Sequence, residues 1–149
     1  MVRQGEFSIY TGFTLDFRKI DVPPEILDIL KLVGTSTLTG GLLNAGYRNS
    51  YMMDVGAIAL SNNQRMVGRA KTLRFIPYRE DLLKEQYGSL SVSPHREALE
   101  QVKSGEVLVI DAGGSKEAAV LGDMFTRRVM ELGGSGVVID GVVRDLSAI

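Results

Sequence analysis

The segment Gly122-Asp123-Met124-Phe125 combines residue types that suit the binding of a small anion. If a helix begins at Gly122, the free backbone amides of its first turn form a site for a carboxylate or a phosphate group. The alternative is structural, because glycine is common at a helix cap and an acidic side chain such as Asp123 complements the helix dipole. From residue types alone, the structural alternative is favoured.

Arg144 and Asp145 follow a predicted strand, with twenty residues between Asp123 and Arg144. Ligands of open α/β sheets bind beyond the carboxyl ends of the strands. A guanidinium there can bind a carboxylate through paired hydrogen bonds, and an aspartate can hold magnesium. A solvated turn with a local ion pair is an equally weighted alternative. Because Asp123 and Asp145 stand at the ends of consecutive elements facing one sheet edge, they could contribute to one site.

The glycine-rich segment 111–116 (DAGGSK) lies between a predicted strand and a predicted helix. It contains neither of the glycine motifs that bind dinucleotides or triphosphates, so nucleotide binding is disfavoured. His95 is the only histidine, and at a helix start such a residue is more often a surface or capping residue than a catalyst. No nucleophilic triad is recognisable around it.

Four basic residues are interleaved with apolar residues along one predicted strand. They could form an interaction surface, but they more often form the solvated face of a half-buried strand. Without interleaved aromatic residues, they do not indicate nucleic-acid binding. These residues are Arg65, Arg69, Lys71 and Arg74.

The composition narrows the class of protein further. The chain of 149 residues is 44% hydrophobic, which suits one globular domain, and its formal charge of -1 gives no general attraction to nucleic acid. The absence of cysteine excludes thiolate chemistry and zinc–thiolate sites. No stretch approaches the roughly 18 apolar residues of a membrane span, and the start lacks the apolar core of a signal peptide. We therefore expect a cytoplasmic protein without a membrane or nucleic-acid partner.

The hydrophobic pattern predicts helices in the first third of the chain. Pro23-Pro24-Glu25 begins one that ends at Gly34, and residues 35–37 (TST) offer caps for a second that stops near Gly46. Strands are predicted over 57–60 and 65–77, joined by a turn at 62–63. A helical turn at 81–84 and a helix over 94–103 follow.

The last third predicts a strand–helix–strand unit. Residues 107–110 (VLVI) form a continuous apolar run, which is typical of a strand buried on both faces. A glycine loop at 112–115 leads to a helix that runs to about Leu132, and 137–139 (VVI) form a second buried strand. Such a unit implies a right-handed parallel crossover.

Three of these segments together resemble the RraA-like family. They are 107–111 (VLVID), 121–124 (LGDM) and 136–145 (GVVIDGVVRD), while 68–72 (GRAKT) resembles the central strand motif of the family. The resemblance covers roughly residues 20 to 149. The family contains the regulator of ribonuclease activity A and the 4-hydroxy-4-methyl-2-oxoglutarate aldolases, which are class II pyruvate aldolases.

The resemblance implies roles for the candidate residues. The backbone amides of Gly122, Asp123, Met124 and Phe125 would bind the carboxylate of a pyruvyl group, and Arg144 would bind its keto and enolate oxygen. Asp145 would hold Mg²⁺ or Mn²⁺, partly through water, and Asp123 would position a metal-bound water that delivers or removes a proton. The implied enzyme is a lyase of the aldolase or oxaloacetate decarboxylase type, because a cation and an arginine stabilise the charge that develops on the enolate oxygen.

The family also implies an alternative function. Its non-enzymatic members bind ribonuclease and generally lack the aspartate after the arginine, so Asp145 favours the enzyme. The segment 78–93 also resembles the longer members of the family.

The resemblance implies a fold and an assembly as well. We expect one three-layer β/β/α swivelling-type domain over 1–149, with a parallel βαβ core and N-terminal helices, assembled as a homotrimer or hexamer with sites at subunit boundaries. Many relatives carry an acidic residue near the position of Gly40. Relatives also continue well past the Arg-Asp pair and supply an acidic metal-site partner to the neighbouring subunit. We therefore expect a C-terminally truncated chain that lacks this partner.

Overall fold

The computed structural model describes residues 22–58, 64–76 and 94–149. In these ranges four α-helices, five strands and a short 3-10 helix alternate in a pattern typical of an α/β fold, and the predicted α/β class is confirmed. The helices are α1 (Pro24–Leu32), α2 (Thr35–Asn44), α3 (Pro94–Glu100), α4 (Asp123–Glu131) and the 3-10 helix Leu146–Ala148. The strands are β1 (Arg69–Arg74), β2 (Glu106–Asp111), β3 (Ala119–Leu121), β4 (Gly136–Asp140) and β5 (Val142–Val143).

The main sheet contains three parallel strands in the order β1-β2-β4. The parallel pairing of β2 with β4, across α4, confirms the predicted strand–helix–strand unit. Val107 and Leu108 are consecutive and both buried, so β2 is covered on both faces there, as predicted. β4 is half-buried rather than fully buried, because within the described ranges it has a strand neighbour on one side only.

The hydrophobic core lies on one face of the main sheet. Leu108 and Ile110 of β2 point to this face, where they meet Leu99 of α3 and Val129 of α4. Each of these four side chains is less than 2% exposed. Burying such side chains contributes roughly 1.5–3 kcal/mol each, so this layer of helices on the sheet holds α4 in place.

A second, smaller sheet pairs β3 with β5 in parallel. Neither strand is predicted by the sequence pattern, because segments of three and two residues are too short to show an alternating pattern. The helix after the glycine loop therefore begins only at Asp123, once β3 has ended. β5 follows β4 after Gly141, where an added Cβ would lie 2.9 Å from the Cβ of Ala112.

The two N-terminal helices follow the prediction closely at their ends. Pro24 occupies the first turn of α1, as expected, and α1 stops before Gly34. The predicted capping by 35–37 is wrong: Gly34 is the N-cap of α2 and Thr35 is already helical. Neither helix contains a buried residue. No single helix in the described ranges could cross a membrane; only α1 and α2 counted together, bent by 117°, reach the necessary length and composition.

Several other predicted boundaries shift. α3 ends at Glu100 rather than at 103, and the strand predicted over 65–77 is reduced to β1 within the described residues. Just before β1, Gly68 packs so closely against the carbonyl of Gly105 that a side chain at position 68 would collide with it. Ala57 and Ile58 are not in a strand. The rest of that prediction (59–60), the turn at 62–63, position 77 and the turn at 81–84 lie outside the described residues.

Candidate functional site

The two predicted site segments meet where α4 begins. Leu121 of β3 pairs with Val143 of β5, and the amide of Arg144 donates a hydrogen bond of 3.1 Å to the carbonyl of Leu121. This pairing brings residues 144 and 145 against Gly122. An added Cβ at Gly122 would lie 3.0 Å from Asp145 Oδ2 and 3.2 Å from Arg144 Nε. Glycine leaves the space that this contact requires.

The first turn of α4 presents its backbone amides beside this contact. Gly122 is the extended N-cap residue, with φ -141°, and no side chain caps the helix. Its carbonyl accepts hydrogen bonds from the amide and from Oγ1 of Thr126, at 3.1 and 3.0 Å, which holds the turn in helical geometry. The amides of 123–125 have no intrahelical acceptor, and together with the helix dipole they favour an anion.

Arg144 and Asp145 form an open ion pair. Arg144 Nε lies 3.3 Å from Asp145 Oδ2, and the two side chains are 73% and 49% exposed. Because of this exposure, both groups are accessible to a ligand. Exposed ion pairs of this kind also contribute little to stability. Asp145 adopts a left-handed backbone conformation, with φ 60°, and its carboxylate does not cap the 3-10 helix that follows. Such a conformation is uncommon outside glycine, although aspartate tolerates it better than most residues.

The donor chemistry of Asp145 fits a hard divalent cation. Its carboxylate oxygens are the ligands that Mg²⁺ prefers, and Mg²⁺ is usually held by one or two carboxylates while it keeps several waters. No group of three acidic or histidine side chains that could hold an ion occurs among residues 22–58, 64–76 and 94–149.

A groove runs along the outer face of α4 from the same site. Its volume is about 470 Å³, and α4 forms one wall while the end of the 3-10 helix forms the other. Asp123 belongs to this wall, and residues three, four and seven positions later share its face of the helix. This helical spacing from Asp123 is the sequence signal for Thr126 and Arg127, which were not among the predicted site residues. The lining residues are Asp123, Thr126, Arg127, Met130, Glu131, Ala148 and Ile149.

The ring of His95 packs against the first turn of α4, where it contacts Phe125. Its ring centroid is 5.1 Å from that of Phe75 and 4.6 Å from that of Phe125. The Nε2 atom is buried without a hydrogen-bond partner among the described residues, and burial lowers the pKa of His95 below 6.5. His95 is therefore a half-buried residue that packs against two aromatic side chains, rather than a fully exposed surface residue.

The glycine-rich loop has a structural role. Asp111, at the end of β2, accepts a hydrogen bond of 3.0 Å from the amide of Gly113 and pairs with Arg74 at 2.6 Å. The hydrogen bond from Gly113 and the guanidinium of Arg74 hold the pKa of Asp111 below its usual value. Lys71 likewise donates to Gln101 at 3.0 Å. Arg74 and Lys71 of β1 thus make contacts within the chain.

The fold and the geometry define an α/β protein with a candidate small-ligand site at the carboxyl ends of parallel strands. There the N-terminus of α4, which no side chain caps, lies beside Arg144 and Asp145. The family model described as RraA-like, Aldolase/RraA, matches residues 24–149. The chain therefore belongs to the RraA-like family, as its motifs predicted.

Among its relatives, the 4-hydroxy-4-methyl-2-oxoglutarate aldolase of Thermus thermophilus is 37% identical over 81 residues, which are 54% of this chain and 42% of that protein. A relative from a Marinomonas species is 45% identical over 53 residues, which are 36% of this chain and 33% of that protein. The chain thus spans well under half the length of these curated relatives.

Two solved structures share the fold. The RraAS2 protein of Streptomyces coelicolor, described as an unusual member of the RNase ES inhibitor RraA protein family, is 36% identical. It superposes with a TM-score of 0.70 over 85% of this chain and 58% of its own. An uncharacterized protein from Pseudomonas syringae also gives a TM-score of 0.70, over 95% of this chain and 56% of its own. At 24% identity, it supports the fold alone.

Proposed function

We propose that the chain carries the pyruvyl-binding site of a divalent-metal-dependent 2-oxo acid lyase. The reaction is of the 4-hydroxy-4-methyl-2-oxoglutarate aldolase or oxaloacetate decarboxylase type. The observation that carries this proposal is the contact of Gly122 with both Arg144 and Asp145 at the N-terminus of α4. The name of the Thermus relative supports the reaction class.

The substrate is bound by backbone amides of α4 and by the side chain of Arg144. The amides of residues 123–125 bind the carboxylate of the 2-oxo acid, where the helix dipole favours negative charge. Arg144 donates hydrogen bonds to the keto oxygen. When the bond between C3 and C4 breaks, its electron pair passes to this oxygen, so Arg144 binds the transition state more strongly than the substrate.

The two aspartates take different roles. Asp145 holds Mg²⁺ or Mn²⁺, and the cation when bound supplies Lewis-acid stabilisation of the developing negative charge. Asp123, the first residue of α4, moves a proton, directly or through water. In the aldol cleavage it accepts the proton of the C4 hydroxyl and returns it to C3, which yields pyruvate and a carbonyl product.

Pyruvate release tests this proposal. The chain should release pyruvate from 4-hydroxy-4-methyl-2-oxoglutarate and from oxaloacetate with added Mg²⁺, faster than Mg²⁺ does without protein. Asp145→Asn should abolish the protein-dependent rate. Asp28→Asn, which changes an exposed carboxylate on α1 that pairs with Lys31, is the matched control and should not alter the rate. A rate that needs no metal and survives Asp145→Asn would exclude this mechanism.

The description of the Streptomyces neighbour favours a second candidate function, a non-enzymatic protein that binds and regulates ribonuclease. The same preparation distinguishes the two. Inhibition of an RNase ES-type ribonuclease without pyruvate release, and without any effect of Asp145→Asn, would support the regulator.

We also propose that the chain assembles into a homotrimer or hexamer. α1 and α2 contain no buried residue, and they expose Ile29, Leu32 and Leu43, which a neighbouring subunit could cover. Light scattering after size-exclusion chromatography measures the assembly. A monomer at micromolar concentration would contradict this part of the proposal.

A further inference from the structure

The groove along α4 begins at the proposed site and leads away from it. Asp123 lies at the start of the groove, and Arg127 lies one helical turn further, about 6 Å along the axis. Its volume of about 470 Å³ falls within the range of small-molecule sites. A substrate whose carboxylate binds the first turn of α4 has room here for the atoms beyond its pyruvyl group.

Arg127 offers this groove a free positive charge. Its side chain is exposed, and within the described ranges its guanidinium makes no hydrogen bond or ion pair. The adjacent Arg128 is directed about 100° away around the helix axis and is engaged in ion pairs. It pairs with Glu100 of α3 at 2.7 Å and with Glu131 at 3.2 Å, and these contacts raise its pKa. Of the two neighbouring arginines, only Arg127 is available to a ligand.

The other charged groups of the groove are acidic. Asp123 and Glu131 lie one turn before and one turn after Arg127 on the same helix face. Arg128 balances part of the charge of Glu131, so among the described residues Arg127 is the one that offers the groove an unpaired positive charge. Without Arg127, the carboxylate of Asp123 would disfavour a substrate with a second negative charge. With Arg127, a distal carboxylate can be bound through two parallel hydrogen bonds.

On the basis of the proposed function, we infer that Arg127 is a specificity-determining residue. It binds the distal carboxylate of a dicarboxylic 2-oxo acid, and this contact makes the site prefer dicarboxylic over monocarboxylic substrates. The pyruvyl half of the substrate stays on the first turn of α4 and on Arg144, so Arg127 takes no part in bond cleavage.

A matched pair of substrates tests this inference. 4-Hydroxy-4-methyl-2-oxoglutarate and 4-hydroxy-2-oxopentanoate both release pyruvate, but only the first carries a distal carboxylate. Arg127→Gln should lower kcat/KM for the dicarboxylate roughly 10- to 100-fold, mainly through KM, since a hydrogen bond to a charged group contributes about 1.5–3 kcal/mol. The value for the monocarboxylate should change less than about threefold. Arg127→Lys should be intermediate, because it keeps the charge but loses the bidentate geometry.

Two controls distinguish the specificity role of Arg127 from the proposed lyase function. Arg48→Gln removes an exposed arginine outside the groove and should change neither substrate. Exchange of the methyl protons of pyruvate with deuterated water, followed by NMR, reports the pyruvyl site alone. Arg127→Gln should leave this exchange unchanged, whereas Asp145→Asn should abolish it.

The results distinguish a failure of the proposed lyase function from a failure of the specificity role of Arg127. No metal-dependent exchange in the unaltered chain would overturn the proposed function, and the inference about Arg127 with it. Normal exchange combined with an equal effect of Arg127→Gln on both substrates, or with no effect on either, would overturn the specificity role while the lyase function stands.

Discussion

Gly122 packs directly against Asp145, because an added Cβ at position 122 would lie 3.0 Å from Asp145 Oδ2. The two residues come from different parts of the chain. Gly122 follows β3 and Asp145 follows β5, and the parallel pairing of these two short strands brings them together. The geometry of the proposed site therefore depends on the absence of a side chain at position 122.

Replacing Gly122 with alanine should reduce activity more than stability. The backbone angle φ of -141° suits any residue, so the variant carries no backbone strain, but its methyl group pushes against Arg144 and Asp145. The two side chains would have to move by only a few tenths of an ångström. Since a displacement of about 1 Å at a reacting group can reduce the rate roughly 100-fold, we expect pyruvate release to fall by about 2- to 5-fold. Steady-state kinetics and a thermal melt measure the two effects. An unchanged kcat/KM would contradict the proposed site.

Replacing Gly40 with alanine should stabilise the protein. Gly40 lies inside α2, is exposed, and an added Cβ there would meet no atom within 4 Å. Alanine is favoured over glycine in a helix interior by about 1 kcal/mol, so the free energy of unfolding should rise by about that amount. Urea denaturation measures the change. A loss of stability would instead indicate that another subunit covers this face of α2.

His95 should make stability depend on pH. Burial lowers the pKa of His95 in the folded state below 6.5, so below that pH the unfolded chain binds more protons than the folded one. Stability is therefore complete above this value and is lost as the pH falls through it towards the lower folded pKa. Denaturation at about pH 7 and about pH 5 measures the loss, since carboxylates titrate mainly below this window.

The variant His95→Phe tests whether His95 causes this pH dependence of stability. His95→Phe keeps a ring between Phe75 and Phe125 but removes the titrating group. Because His95 is the only histidine of the chain, stability should then be nearly constant over this interval. The same pH dependence in the variant would show that another group causes it.

Truncation to alanine should lower the free energy of unfolding more at Leu108 than at Leu32. Leu108 is fully buried in β2 at the centre of the core, whereas Leu32 at the end of α1 is 82% exposed. Leu108→Ala should lower the free energy of unfolding by roughly 2–5 kcal/mol, through lost burial and the cavity that remains. Leu32→Ala should change it by less than about 0.5 kcal/mol. Chemical denaturation of both variants makes the comparison, and similar losses would contradict the described core.

The long regular elements could be predicted because their patterns repeat. The apolar run 107–110 indicated a buried strand, and the proline pair at 23–24 indicated the start of α1. β3 and β5 could not be predicted, because three and two residues do not complete a pattern. The packing of His95 against Phe75 and Phe125 could not be predicted either, since these two residues approach it from distant parts of the chain.

By itself, the sequence determined the family, the parallel strand–helix–strand unit and the residue types available for chemistry. Only the tertiary structure decided which of these residues meet and which stay unpaired. Arg127 and Arg128 are identical neighbours in sequence, yet successive residues of a helix point about 100° apart. Arg128 therefore reaches Glu100 on α3, while Arg127 faces the groove. The position of α3 relative to α4 determines this difference, and that position depends on packing across the whole core.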